Sequence, residues 1–385
     1  MASTHDHYYP ARWPEWECRK PAEVGMSAEK IQRAIEFSQQ NETELPHDLE
    51  MNTILKLDEL YSELIGPVKE RGDVTGLVMR HGHIVAEWGD TERVDMTFSA
   101  TKSYLSSVAG LAFDRGLIRS VHDRAGDYVR DGGFDSPHNA PITWHQLLNQ
   151  TSDWQGTLWG KPDWADRPEG DRSQWANRTL YAPGTHWKYN DVRVNRLALS
   201  LLRIWRRPLA QVLHEHIMDP IGASPAWEWH GYDNSWVTIN GQHMQSVTGG
   251  GHWGGGLWIS ARDHARFGYL CLRNGRWQDR QILSEQWIRM ARTPTGDRNR
   301  PEDTYSAQYG MPAKCQVTYG YMNWMLNTNK RLLPSCPETS FFHAGNGANI
   351  IWVDQEHDLV VVIRWIRREQ LDEFLGLVLS AVERA

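Results

Sequence analysis

Ser99 and Lys102 stand three positions apart at the head of an apolar run, Ser103-Tyr-Leu-Ser-Ser-Val-Ala-Gly-Leu-Ala-Phe113. At that spacing on a helix the two side chains share a face, so the amine reaches the hydroxyl. A serine hydroxyl is a weak nucleophile at neutral pH, and a neighbouring base that takes its proton activates it. Lysine serves as that base only where burial or nearby cations lower its pKa. The same spacing recurs in Ser27-Ala-Glu-Lys30, and the surroundings separate the two. Ser27 leads into the polar stretch Ala28 to Asn41 and reads as the N-cap of a solvent-facing helix. Ser99 opens a helix that is apolar on nearly every face and must be buried. A lysine in the first turn of such a helix is costly unless it is paired or functional. Ser99 and Lys102 are therefore the candidate nucleophile and base.

A lysine-activated serine also needs a proton shuttle to the leaving group and donors for the oxyanion. Tyr189, in Trp187-Lys-Tyr-Asn-Asp191, follows the turn Ala182-Pro-Gly-Thr185 and precedes a helix. Beside a cationic lysine its phenol can act as acid and base. His343-Ala-Gly345 ends a C-terminal strand, where the Asn346 N–H can join the Ser99 N–H as an oxyanion hole.

In this order the Ser-X-X-Lys helix, the Tyr-X-Asn-like element and the His-X-Gly strand resemble the serine β-lactamase and penicillin-binding-protein superfamily. Within it the chain is most similar to the class C β-lactamase-like group, which includes family VIII carboxylesterases, D-aminopeptidases and 6-aminohexanoate-dimer hydrolases. The resemblance spans residues 70 to 385 and includes Gly254-Gly-Gly-Leu-Trp-Ile-Ser-Ala-Arg-Asp263, similar to that group's glycine-rich segment and following helix. It implies a β-lactamase/transpeptidase-like fold and an acyl-enzyme formed on Ser99, with Lys102 and Tyr189 moving protons. It also implies substrate contacts at Asp191, His343 and Gly345. Two departures stand out. Asp191 occupies the place of the family's asparagine, and His343 the place of a lysine. Together with the lack of an export signal they point to an intracellular, cytoplasmic esterase or amidase acting on a small-molecule substrate. A β-lactamase or D-amino-acid peptidase is the alternative. A non-catalytic scaffold with the same fold is the second, disfavoured by the presence of Ser99, Lys102 and Tyr189.

Other chemistries fit less well. No serine has the Gly-X-Ser-X-Gly setting of an α/β-hydrolase. The nearest zinc-like pattern is His214-Glu-His216, whose imidazoles sit about 200° apart on a helix. His5-Asp-His7 reads as a terminal pair and His81-Gly-His83 as a hairpin turn, so no metal or other cofactor is expected. The net charge of −7 argues against nucleic-acid binding, and no apolar run reaches membrane-span length. The four cysteines, Cys18, Cys271, Cys315 and Cys336, form no Cys-X-X-Cys pair and read as free thiols. Of 20 tryptophans, many fall between Trp154 and Trp258, suggesting either core packing or an aromatic-walled pocket. Oligomeric state is not legible.

The elements that must hold these residues follow from periodicity. Helices are expected over Met26 to Asn41, Asn52 to Ile65, Ile142 to Asn149, Asp191 to Trp205, Leu209 to Met218, Ser260 to Asn274, Ser284 to Arg292 and Arg368 to Arg384. A hairpin is expected from Val74 to Trp88. Strands are expected at Tyr319 to Leu326, Thr339 to Ala344, Ile350 to Val353 and Leu359 to Ile366, with Asn346-Gly347 as a turn. The aperiodic segment Asp153 to Trp187 reads as a site-forming loop. The sum is an α/β (α+β) protein: an antiparallel sheet flanked by helices, with an inserted helical domain. The expected parts are an N-terminal surface segment (1–25), an α/β domain (26–120 and 250–385) and a mainly helical insertion (121–249).

Overall fold

The computed structural model describes residues 7–50, 60–168, 170–294 and 318–383. Most of the expected helix from Asn52 to Ile65, and Cys315, lie outside the described residues.

Strands β1 (Thr75–Arg80) and β2 (His83–Trp88) form the expected hairpin. His81 and Gly82 turn it, both at positive φ (52° and 89°), as a tight two-residue turn requires. Helix α2 (Thr101–Asp114) follows α1 (Ala28–Gln40). The middle of the chain supplies α3 (Trp144–Leu148), α4 (Asp191–Trp205) and α5 (Leu209–Leu213). It also carries a long hairpin that periodicity does not announce, built of β4 (Glu228–Ile239) and β5 (Gln242–Val247). Its turn, Asn240-Gly241, lies at positive φ in both residues. Strand β6 (Gly256–Ile259) leads into α6 (Ala261–Leu272), and α7 (Glu285–Ala291) follows.

The predicted strand from Tyr319 to Leu326 is two short ones, β7 (Thr318–Tyr319) and β8 (Met325–Leu326), around a turn. Met322 and Asn323 take positive φ there, which no continuous strand tolerates. Then come β9 (Phe341–Gly345), β10 (Asn349–Asp354) and β11 (Leu359–Arg364), and helix α8 (Leu371–Ser380) ends the described chain.

The main sheet is antiparallel with order β7-β8-β9-β10-β11-β1-β2. Its join between distant parts of the chain is β1 on β11, with Thr75 opposite Arg364 and Leu77 opposite Val362. Alternation along the strands divides the core. Leu77, Met79, Ile351, Val353, Val360 and Val362 belong to one cluster with α2 and α6. Val78, Ile350, Trp352, Val361 and Ile363 belong to another with Ile31 of α1 and Phe374, Leu375 and Val378 of α8. Strands covered on both faces read as continuous apolar runs, as β10 and β11 do. Each such side chain contributes about 1.5–3 kcal/mol by leaving water. Helix α2 is buried along nearly its whole length, packed by α4, α5 and α7.

Candidate active site

Ser99 lies in a 3-10 turn, Phe98–Ala100, that runs directly into α2. Its hydroxyl caps nothing, because Ala100 holds the N-cap position of α2. Ser27, by contrast, does cap α1, accepting from the Lys30 N–H, while Lys30 Nζ reaches the Ser380 carbonyl. The two Ser-X-X-Lys copies thus do different work. Phe98, just before Ser99, has φ 46°, a strained value for an aromatic residue that costs on the order of 1–3 kcal/mol. It persists because Thr97 is bonded to His264 Nε2 at 2.7 Å and the Phe98 ring packs on Trp365. Between Asp95 and Ala112, Ser99 alone is partly exposed.

Around Ser99 Oγ the predicted groups converge. Lys102 Nζ donates to it at 3.0 Å, and Tyr189 Oη shares a hydrogen bond with it at 2.6 Å. Lys102 is wholly buried, and its Nζ lies 4.7 Å from the Tyr189 ring. Asp191, the first residue of α4, places Oδ1 at 2.5 Å from Lys102 Nζ. Its Oδ2 accepts from Arg167 Nη1 at 2.7 Å, and Arg167 also reaches Asp166 Oδ1 at 2.5 Å. Asp166 in turn accepts from the Asp191 backbone N–H. Burial lowers the Lys102 pKa below its ordinary value, and the neighbouring Asp191 offsets that shift only in part. Burial works against ionisation of Asp191, but Lys102 and Arg167 outweigh it and hold the carboxyl well below the usual carboxylate range. The two cations balance the two carboxylates, which is what makes so buried a cluster tolerable.

Asp191 is therefore not the substrate contact expected from its position in the motif. Its carboxylate is turned inward and fully engaged. Asp166, Asp191 and His252 do bring three ligand atoms within 4.8 Å of one another. Both carboxylates, however, already face Lys102 and Arg167. The donor set is that of an ion-pair network rather than a metal centre.

His343 also differs from expectation. Alternation along β9 turns its ring toward α2, where Nδ1 lies 2.7 Å from Ser103 Oγ, packed by Phe267, Trp324 and Phe341. It is wholly buried, and burial pushes its pKa down to about 3. A neutral, enclosed imidazole offers no cation to a substrate carboxylate. Gly345 is placed by contact with the serine turn: a Cβ there would collide with the Thr97 carbonyl oxygen and press on Ala100 N. That closeness brings Asn346, next in the chain, toward Ser99. Both residues sit at the start of 3-10 turns, where the N–H has no partner within the turn.

Sequence reasoning misses several residues of the site. Asn323 bridges its two halves, donating from Nδ2 to the Ser99 carbonyl at 2.8 Å and the Ala344 carbonyl at 2.7 Å. Gly250 lies against the ion pair, and a Cβ there would come impossibly close to both Asp191 Oδ1 and Lys102 Nζ. Asp166 and Arg167 come from the long loop, which buried charges pin to α4. Arg193 Nη2 bonds Asp153 Oδ1 at 2.8 Å, Arg178 Nη2 meets Asp163 Oδ2 at 2.7 Å, and Asn190 Nδ2 donates to the Asp163 carbonyl at 2.7 Å. The tryptophans divide. Trp253 is core, whereas Trp154, itself buried, joins Trp159 and Trp164 in lining an 830 Å³ cavity with Arg196 and Arg203.

Residues 64–372 match the family model described as Beta-lactamase. A search of the curated proteins finds no match. Among solved structures, the chain is similar to a penicillin-binding protein homologue from Caulobacter crescentus, with 14% identity and TM-score 0.58, covering 91% of this chain and 98% of that one. It is similar to a family VIII carboxylesterase, with 14% identity and TM-score 0.56, covering 93% and 98%. It is also similar to a β-lactamase from Mycobacterium bovis, with 19% identity and TM-score 0.54, covering 83% and 97%. At these identities the likeness is one of fold.

Proposed function

The chain belongs to the Beta-lactamase family, and on that premise we propose that it is a serine hydrolase cleaving an ester or amide bond of a small substrate through an acyl-enzyme. The observation that carries this reading is the convergence of Lys102 Nζ and Tyr189 Oη on Ser99 Oγ, at 3.0 and 2.6 Å. Ser99 Oγ attacks the carbonyl carbon as its proton leaves to the Lys102–Tyr189 pair. The N–H groups of Ser99 and Asn346 receive the oxyanion. One such donor is worth about 3 kcal/mol of barrier. Tyr189 then protonates the leaving group and later draws a proton from the water that releases the acyl group.

A carboxylesterase or amidase is favoured over a β-lactamase or D-amino-acid peptidase. The family's asparagine is replaced by a carboxylate locked in an ion pair, and its strand lysine by a buried neutral imidazole. These two positions therefore do not offer the amide and the cation expected for recognising a β-lactam's amide and carboxylate. A cytoplasmic setting is the companion reading, supported by the free thiols Cys18, Cys271 and Cys336.

Fluorophosphonate labelling of the wild type, with Ser99→Ala as control, tests the chemistry; an unlabelled wild type overturns it. Side-by-side assays of p-nitrophenyl esters, an amide dimer and nitrocefin test the substrate class. Nitrocefin turned over far faster than the others overturns the esterase or amidase assignment.

A further inference from the structure

We propose that Asp191 is a positioning residue that keeps Lys102 an ammonium in the resting site, so that the Ser99 proton passes to Tyr189 alone. The proposal rests on the hydrolase reading above and narrows it. An amine that is to take the Ser99 proton must aim a lone pair at Oγ. Lys102 is held at 2.5 Å from a carboxylate oxygen, a contact that favours its charged form, and an ammonium there donates to both Asp191 Oδ1 and Ser99 Oγ. The other oxygen of Asp191 is bound to Arg167 at 2.7 Å. Protonating Asp191 would strand two buried cations against one remaining carboxylate.

Each element packed around Lys102 contributes to this arrangement. Its own helix segment brings Ser99, and α4 brings Asp191. The segment before α4 brings Tyr189, and the long loop brings Asp166 and Arg167. The glycine-rich loop brings His252, whose Nε2 is 3.7 Å from Asp166 Oδ1. Strand β4 brings Tyr232, whose hydroxyl accepts from Asn195. With asparagine at position 191, Lys102 and Arg167 would face Asp166 as their single carboxylate. Lys102, fully desolvated, would then release its proton more readily.

The proton inventory closes without a neutral lysine. To take that proton Tyr189 must enter as phenolate, a form favoured by the cations Lys102 and Arg167, which lie 4.7 and 4.9 Å from its ring centroid. Ser99 Oγ forms its bond to the carbonyl carbon, its O–H bond breaks toward Tyr189 Oη, and the carbonyl π pair moves onto oxygen. On collapse the carbonyl reforms, the bond to the leaving group breaks, and that group takes the proton from Tyr189. Lys102 keeps its proton throughout.

The test is the titration of the Lys102 Nζ resonance in the full chain labelled with 15N-lysine, assigned through Lys102→Met. The wild type is expected to show an ammonium at neutral pH. Asp191→Asn should lower the titration point by about one to three pH units, and Arg167→Gln should raise it, because the competing cation is gone. The alkaline limb of kcat for a p-nitrophenyl ester should move in the same two directions. A merely structural role would not give shifts of opposite sign. A neutral amine in the wild type at neutral pH overturns the proposal, as does a kcat increased by Asp191→Asn or an unmoved titration. If Asp191→Asn does not fold, Arg167→Gln decides. A wild type that titrates as expected but neither labels nor hydrolyses overturns the hydrolase reading and leaves the hold of Asp191 on Lys102 standing.

Discussion

Asn323 Nδ2 lies 2.8 Å from the carbonyl oxygen of Ser99, and the same amide reaches Ala344 at 2.7 Å. One side chain thus ties the turn that carries Ser99 to the strand that carries Gly345. The two N–H groups proposed for the oxyanion are held in register by a third residue that touches neither of them. Asn323→Ala should lower kcat by about 10²-fold, the typical effect of a displacement near 1 Å in a catalytic site. Two carbonyls lose a partner, so a stability loss of about 1–3 kcal/mol should accompany it. Ester kinetics and thermal melts read both.

Tyr189→Phe removes the hydroxyl at 2.6 Å from Ser99 Oγ but leaves the ring packed against Trp187 and Tyr319. The expected outcome is a loss of about 10²–10⁴ in kcat with an unchanged melting temperature. Wild-type kcat in this variant sinks the role of Tyr189.

Gly250→Ala tests how closely the glycine loop backs the ion pair. The added methyl has no room beside Lys102 Nζ and Asp191 Oδ1, both buried, so either the loop or the pair must move. Overpacking of this kind costs about 1–3 kcal/mol. Activity should fall further than stability, since the displaced groups adjoin Ser99. Ser99→Ala is the matching control: silent in activity, unaltered in melting.

The buried histidines make stability depend on pH. Burial holds His343 near a pKa of about 3 and His264 well below its ordinary value of 6.5. Both are neutral in the fold, and the unfolded chain binds their protons first. Their contribution is complete above the unfolded pKa of 6.5 and is lost progressively as pH falls toward the folded value. Melting temperature should therefore drop between neutral and acid pH, and His343→Asn should flatten that dependence. An equally steep dependence in the variant counts against this account.

What the sequence discloses of the site is what fits in a short window. Ser99 with Lys102, Tyr189, and the run from His343 to Asn346 are each local patterns, and their order carried the family resemblance. Asp166, Arg167, His252 and Asn323 sit in aperiodic segments, and only the tertiary fold brings them to Lys102 and Ser99. The His343 outcome has a similar cause: spacing locates the strand, but which face of β9 meets α2 depends on packing. The hairpin of β4 and β5 escaped a reading based on helical periodicity, although Asn240-Gly241 is a turn signal in plain view. Tyr319 to Leu326 reads as one strand because its side chains suit a sheet; positive φ at Met322 and Asn323 divides it.

The pairing of β1 with β11 has a consequence for how the protein comes into being. Ser99 leaves the ribosome well before Asn323 and Asn346. Translation at about 5–20 residues per second leaves Ser99 for many seconds without Asn323, Asn346 or the strand that seats them. A product terminated before β7 therefore carries Ser99 and Lys102 but neither Asn323 nor the strand that leads to Asn346.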